Sequence, residues 1–151
     1  MSVKFAKCFV DTNILLYAHD RTTGEKHERA KRTVDFLWHE RKGVISTQVL
    51  QELAVNLRRK VTPPLLLPEV RDILTDYLAW HVVVNDSGAV LQALALEGRY
   101  KISFWDALIL QAAETAGAPV VYSEDLADGQ TYGSVRVINP LRAPELLGPP
   151  T

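Results

Sequence analysis

Short apolar runs alternate with longer amphipathic stretches along this chain. Phe5–Val10 is apolar and β-rich toward its end and halts at Asp11-Thr12-Asn13, which predicts a first strand. Ile14–His19 predicts a short helix. After the turn Thr22-Thr23-Gly24, Glu25–Arg41 sets Ala30, Val34, Leu37 and Trp38 on one helical face. Gly43 ends that helix, and Val44–Ser46 predicts a second strand. Ser46 or Thr47 can N-cap a helix over Gln48–Lys60, in which Leu50, Leu53 and Leu57 share a side.

Thr62-Pro63-Pro64 forces a break. Pro68 suits the first turn of a helix reaching Ala79, with Val70, Ile73, Leu74, Tyr77 and Leu78 inward. His81–Val84 predicts a third strand. Asp86 or Ser87 opens a helix to Glu97, ended by Gly98. Ser103 opens another, running to Ala116 and closed by Gly117 and Pro119. Val120–Ser123 and Val135–Asn139 complete five strands.

Short apolar strands separated by helices imply an α/β fold, with a parallel sheet covered on both faces by right-handed crossovers. Neither a repeat nor a low-complexity block divides the chain. The expectation is one domain over residues 1–141 and a loosely held, Pro-rich tail over residues 142–151.

Composition narrows the class. The 151 residues are 47% hydrophobic and carry a formal charge of −1, from 17 Lys+Arg against 18 Asp+Glu. A basic tail protein and a disordered acidic chain are both excluded. The lone Cys8 excludes an internal disulfide and a Cys-rich zinc site, and its apolar neighbours Phe9 and Val10 suit a core filler. Neither a signal-peptide core nor a membrane span is expected, so the protein is expected to be cytoplasmic.

In parallel sheets, ligands collect beyond the carboxyl ends of the strands, so acids placed there carry the most information. Asp11 ends the first strand, and Asp125 follows the fourth by two residues. Glu52 lies about one helical turn into the helix after the second strand, and Asp106 lies in the first turn of the helix opened by Ser103. Each also has a plain structural reading. Asp11 serves as an N-cap, Asp106 completes an S-x-x-D capping box, and Asp125 suits a turn. Glu52 is the exception: position 56 is Asn, and Val49 and Leu53 beside it are apolar.

Two carboxylates about 5 Å apart repel by roughly 3 kcal/mol at an effective dielectric near 20. Four acids without a cation beside them need protons or a metal. An all-oxygen set suits Mg²⁺ or Mn²⁺ rather than zinc. Such an ion could hold a phosphodiester and lower the pKa of a water.

Four segments then occur in order: Phe9-Val10-Asp11-Thr12-Asn13-Ile14-Leu15-Leu16-Tyr17-Ala18, Ile45-Ser46-Thr47-Gln48-Val49-Leu50-Gln51-Glu52, Phe104-Trp105-Asp106-Ala107-Leu108-Ile109 and Tyr122-Ser123-Glu124-Asp125-Leu126. Together they closely resemble the PIN domain family, particularly the VapC-like toxins of type II toxin–antitoxin pairs. The resemblance runs from about Val3 to Pro140. It implies a three-layer α/β/α sandwich with a five-stranded parallel sheet in order 3-2-1-4-5, and metal-dependent cleavage of RNA. By motif, Asp11, Glu52, Asp106 and Asp125 would bind Mg²⁺ or Mn²⁺.

Asn13 would orient Asp11 or a water, and Ser46 and Ser123 could hydrogen-bond the acids or the phosphate. Asp128 is an outer member that reads equally well as a turn residue. The resemblance also implies a homodimer and an antitoxin partner whose C-terminal segment lies over the active site. One departure stands at Leu141, where a subgroup of the family carries an aromatic after the closing Val137-Ile138-Asn139-Pro140.

RNA contact is expected from Lys26, Arg29 and Arg32 or from Arg58 and Arg59, although a solvated face, or the helix dipole for Arg58 and Arg59, explains them equally. Trp38, Trp80 and Trp105 are expected in the core, and His81 in the core or at a strand end. Pro63-Pro64-Leu65-Leu66-Leu67-Pro68 is too apolar for a fully exposed loop and is expected to cover a groove or meet a second subunit. Two rivals stand beside the ribonuclease. A metal-dependent phosphatase or phosphoryl-transfer domain also uses acids at strand ends, but neither phosphate-cradling glycine motif is present. A catalytically silent PIN-fold binding module is disfavoured by the intact quartet. Setting the four acids aside turns the formal −1 into +3, so a mildly basic surround encloses a concentrated acidic site.

Overall fold

A computed structural model describes residues 6–142. Phe5, the expected start of the first strand, and the tail from residue 143 onward lie outside the described residues.

The strands are β1 (Cys8–Val10), β2 (Gly43–Ser46), β3 (His81–Val83), β4 (Val120–Tyr122), β5 (Thr131–Tyr132) and β6 (Val135–Ile138). They form one sheet in the order β3-β2-β1-β4-β6-β5. All neighbours pair in parallel except β5 and β6. The five parallel strands reproduce the expected 3-2-1-4-5 order. The sixth, β5, adds a two-residue antiparallel edge inside a segment expected to be loop. It closes through Gly133, whose φ of 61° favours a residue without a Cβ.

The helices are α1 (Thr12–His19), α2 (Glu25–Glu40), α3 (Thr47–Arg59), α4 (Leu67–Tyr77), α5 (Ser87–Tyr100) and α6 (Phe104–Thr115), with a 3₁₀ turn at Arg21–Thr23. α1 packs on α2 and α3, and α3 on α4; α5 and α6 form a separate pair. The sheet is apolar on both sides: Phe9, Val10, Val44, Ile45, Val121 and Val137 are fully buried. No helix among the described residues is long and apolar enough to cross a membrane.

Several expectations are corrected. Gly98 does not end α5, which continues to Tyr100 and stops where Lys101 turns left-handed at φ 54°. Nothing lies within 4 Å of a Cβ built on Gly98, so the glycine sits in open space and costs the helix only its propensity. Trp105 is 62% exposed rather than in the core, because the first turn of α6 precedes its buried run from Ala107 to Ala113. Leu66 and Leu67 also face solvent, and only Leu65 of that stretch packs on the core. His81 takes the second of its two expected places, exposed at the start of β3.

Trp80 fixes the outer half of the sheet. Its indole packs edge-on against Tyr77 and Trp38, with ring centroids 5.1 and 5.3 Å away. Its six-membered ring lies directly over Gly43, where a Cβ would meet ring atoms at 2.4–2.6 Å. A wedged ring cannot yield as a flexible side chain does. Gly43→Ala is therefore expected to lower stability by about 2 kcal/mol in urea unfolding. Gly98→Ala, in open space on a helix, is expected to raise it by roughly 0.5–1 kcal/mol.

Candidate active site

The pairing of β1 with β4 aligns Val10 with Tyr122, and that of β4 with β6 aligns Tyr122 with Ile138. The next residues, Asp11, Ser123 and Asn139, therefore share the carboxyl edge of the sheet. Two backbone bonds extend the ladder there, from Asp11 N to the Tyr122 carbonyl (2.9 Å) and from Ser123 N to the Ile138 carbonyl (3.1 Å).

Asp11 is both an N-cap and the centre of the acidic cluster. One carboxylate oxygen accepts from Thr12 N (2.7 Å), which caps α1, and the other accepts from Ser123 Oγ (3.0 Å). Ser123 is fully buried, and its Oγ also accepts the backbone N–H groups of Asp125 (3.1 Å) and Leu126 (3.3 Å). One hydroxyl thus joins Asp11 to the loop that carries Asp125.

The other acids attach to the same frame. Thr12 Oγ1 donates to Glu52 Oε1 (2.7 Å), tying α3 to the start of α1. Asn13 Nδ2 donates to Asp125 Oδ2 (3.2 Å). Asp106 stands in the first turn of α6, where Ser103 Oγ accepts its N–H (3.1 Å).

The electrostatics follow from burial and like charge. Burial pushes the Asp11 carboxyl up to about 6, with Asp125 and Glu52 adding repulsion against the hydrogen bonds from Thr12 and Ser123. Asp106 is also raised, chiefly by burial, with Asp125 adding repulsion. Four carboxylates from four segments therefore share one negative field.

Among the described residues, no three His, Cys, Asp or Glu side chains close into a finished metal cage. The donor set still fits a hard cation. All four donors are carboxylates, and Mg²⁺ keeps several waters and takes only one or two carboxylates directly.

Two of the expected supporting residues bond to the scaffold. Ser46 Oγ accepts from Val49 N (3.4 Å) as the cap of α3, and Asp128 Oδ1 accepts from Asn139 N (2.9 Å), pinning the loop to the end of β6. Among the expected RNA contacts, Arg29 bonds the Leu141 carbonyl (2.8 Å) and Glu25 (2.7 Å). Arg58 and Arg59 lie about two helical turns beyond Glu52, roughly 10 Å along α3, with Arg58 Nε bonded to the Ala54 carbonyl. Arg32 is exposed on α2.

Lys26 is the basic residue tied to the acidic loop. Its Nζ lies 3.2 Å from Glu124 Oε2 and 3.3 Å from Tyr17 Oη. Burial and the Glu124 carboxylate raise the Tyr17 phenol, while Tyr17 and Glu124 together raise Lys26. Neither periodicity nor motif gives Thr12, Tyr17 or Glu124 these contacts. A signal existed for Tyr17, which follows Asn13 by four residues and so shares its helix face.

Residues 8–127 match the sequence model of the PIN domain family. Among solved structures, the chain is similar to the Mycobacterium tuberculosis toxin VapC20, which cleaves the sarcin–ricin loop. The two are 21% identical with a TM-score of 0.61, over 86% of this chain and 99% of that one. It is also similar to a chain of a toxin–antitoxin complex from Klebsiella pneumoniae, at 20% identity and TM-score 0.65, over 89% and 98% of the two chains. DNA-bound VapBC from Salmonella typhimurium gives 17% identity and TM-score 0.59, over 87% and 96%. At such identities the likeness is one of fold. No curated protein matches the sequence.

The raised Asp11 carboxyl has a thermodynamic consequence in metal-free protein. A move from 3.8 to about 6 means that the folded state holds a proton which the unfolded state has already released. Stability should therefore fall as pH rises from about 4 to about 6 and then level off, with a full penalty of roughly 3 kcal/mol. Asp11→Asn removes this dependence. With a chelator present, urea unfolding should show the stability difference moving in favour of the variant by about 2 kcal/mol between pH of about 4.5 and about 7.5.

Proposed function

Because this chain belongs to the PIN domain family, we propose that it is a divalent-metal-dependent ribonuclease, the toxin of a toxin–antitoxin pair. The observation that carries this reading is the hydrogen-bonded convergence of Asp11, Glu52 and Asp125 on the carboxyl edge of the sheet, with Asp106 within the same field. VapC20 is a toxin that cleaves the sarcin–ricin loop, and the Klebsiella relative was solved as a toxin–antitoxin complex. The first supports RNA as the substrate class, and the second supports a protein antitoxin as the neutralising partner. A homodimer is part of the same reading.

In this reading Asp11, Asp106 and Asp125 hold Mg²⁺ or Mn²⁺. When bound, such an ion supplies charge neutralisation at the phosphate and an acidified water. The chain's own residues do the positioning. Ser123 fixes one oxygen of Asp11 and Thr12 N the other, so the carboxylate keeps a single orientation. Glu52, steered by the Thr12 hydroxyl, receives the proton from the water that attacks in line with the leaving oxygen. Asn13 holds Asp125 in place. Lys26, beside the loop of Asp125, is the nearest basic contact for the RNA backbone, with Arg32 farther along α2; Arg58 and Arg59 lie outside the site.

The test is cleavage of single-stranded RNA by purified protein with Mg²⁺ or Mn²⁺, with a small phosphomonoester run in parallel. RNA should be cut and the monoester left intact. A chelator should stop the reaction, and either ion should restore it. Asp11→Asn and Asp106→Asn should each slow cleavage by about 100-fold or more while keeping a folded spectrum. Full-rate cleavage by folded Asp11→Asn protein would overturn the assignment.

A further inference from the structure

Glu124 and Asp125 are adjacent acids in one loop, yet they meet different surroundings. Asp125 is held by Asn13 and, through its N–H, by Ser123. Glu124 is gripped separately. Tyr17 Oη donates to its Oε1 at 2.5 Å, and Lys26 Nζ lies 3.2 Å from its Oε2. Lys26 also donates to Tyr17 Oη at 3.3 Å and stands over the Tyr17 ring, 4.9 Å from its centroid. The three groups therefore close a ring of contacts between α1, α2 and the loop after β4.

The geometry has two consequences. Asn13 and Tyr17 are one turn apart on α1, so a single helix face receives both acids in order. Residues 124–126 bend around the Ser123 hydroxyl, which accepts the N–H groups of Asp125 and Leu126, so seating Glu124 against Tyr17 helps to fix the bend from which Asp125 reaches Asn13. In addition, the Lys26 ammonium offsets the Glu124 charge, so a further carboxylate is kept from competing for the cation that Asp11, Asp106 and Asp125 would hold.

We infer that Tyr17, Lys26 and Glu124 form a positioning clamp that seats the loop after β4 and aims Asp125 into the acidic site. The clamp rests on the reading of that site as a divalent-metal centre. None of the three is a ligand of the cation; toward the cation they act through Asp125.

The test uses the full chain and Mn²⁺ alone, with affinity measured by calorimetry. Tyr17→Phe removes one hydroxyl and should raise the Mn²⁺ Kd about ten-fold, the effect expected of a group that orients a metal ligand. Saturating Mn²⁺ should then restore most of its RNA cleavage. Tyr17→Phe with Glu124→Gln should cost no more than the larger single effect, since both break one contact.

Lys26→Met separates positioning from charge and is also the safeguard if Tyr17→Phe folds poorly. Removing a nearby cation would by itself tighten Mn²⁺ binding, whereas loss of the clamp weakens it. Weaker binding supports the clamp, and tighter or unchanged binding overturns it. A wild-type Kd in folded Tyr17→Phe protein, or multiplying losses in the double variant, also overturns it while leaving the metal-site reading intact. Failure of the wild-type chain to bind Mn²⁺ at all overturns the metal-site reading and the clamp with it.

Discussion

The register of β1 on β4 is the constraint from which the site grows. Once Val10 pairs with Tyr122, Asp11 and Ser123 must emerge side by side at the sheet edge. The Ser123 hydroxyl then uses its whole hydrogen-bonding capacity, donating to Asp11 and accepting from Asp125 and Leu126. A slip of one residue would turn Asp11 and Ser123 to opposite faces and dissolve the arrangement. The apolar side chains that lock the register, Phe9, Val10, Val121 and Tyr122, are all fully buried.

That frame holds like charges together against their repulsion. Asp11 is buried, bonded at both oxygens and still raised to about 6, because burial outweighs the two hydrogen bonds that favour the anion. The fold therefore keeps a carboxyl whose ionisation costs it stability. Such strain at a cluster is characteristic of functional sites rather than of scaffolds. Elsewhere in the chain, acids are paired in ordinary ways: Glu25 with Arg29, Asp35 with Lys31, and Glu124 with Lys26.

The helices divide into those that carry chemistry and those that carry the sheet. α1, α3 and α6 each begin at the carboxyl edge, and their caps, Asp11, Ser46 and Ser103, stand there with them. Side chains in first turns consequently collect at one place, as with Thr12, Asn13 and Asp106. α4 supports the far side through Tyr77, which packs on Trp38 and Trp80.

Much of this was legible in the residues themselves. Alternation of apolar runs and amphipathic stretches, with Ser, Asp and Pro at helix starts, determined the elements and their parallel arrangement, because strand burial and cap chemistry are local in sequence. The positions of Asp11, Glu52, Asp106 and Asp125 after strands or in early helical turns marked the candidate site for the same reason. Tertiary structure alone decided what each group touches. It joined Thr12 to Glu52 across 40 positions and Tyr17 to Glu124 across 107, assigned Ser46 and Asp128 to the scaffold, and brought Trp105 to the surface. A one-dimensional pattern shows which face a residue occupies, but its partner depends on sheet order and helix packing, which bring distant segments within hydrogen-bonding reach.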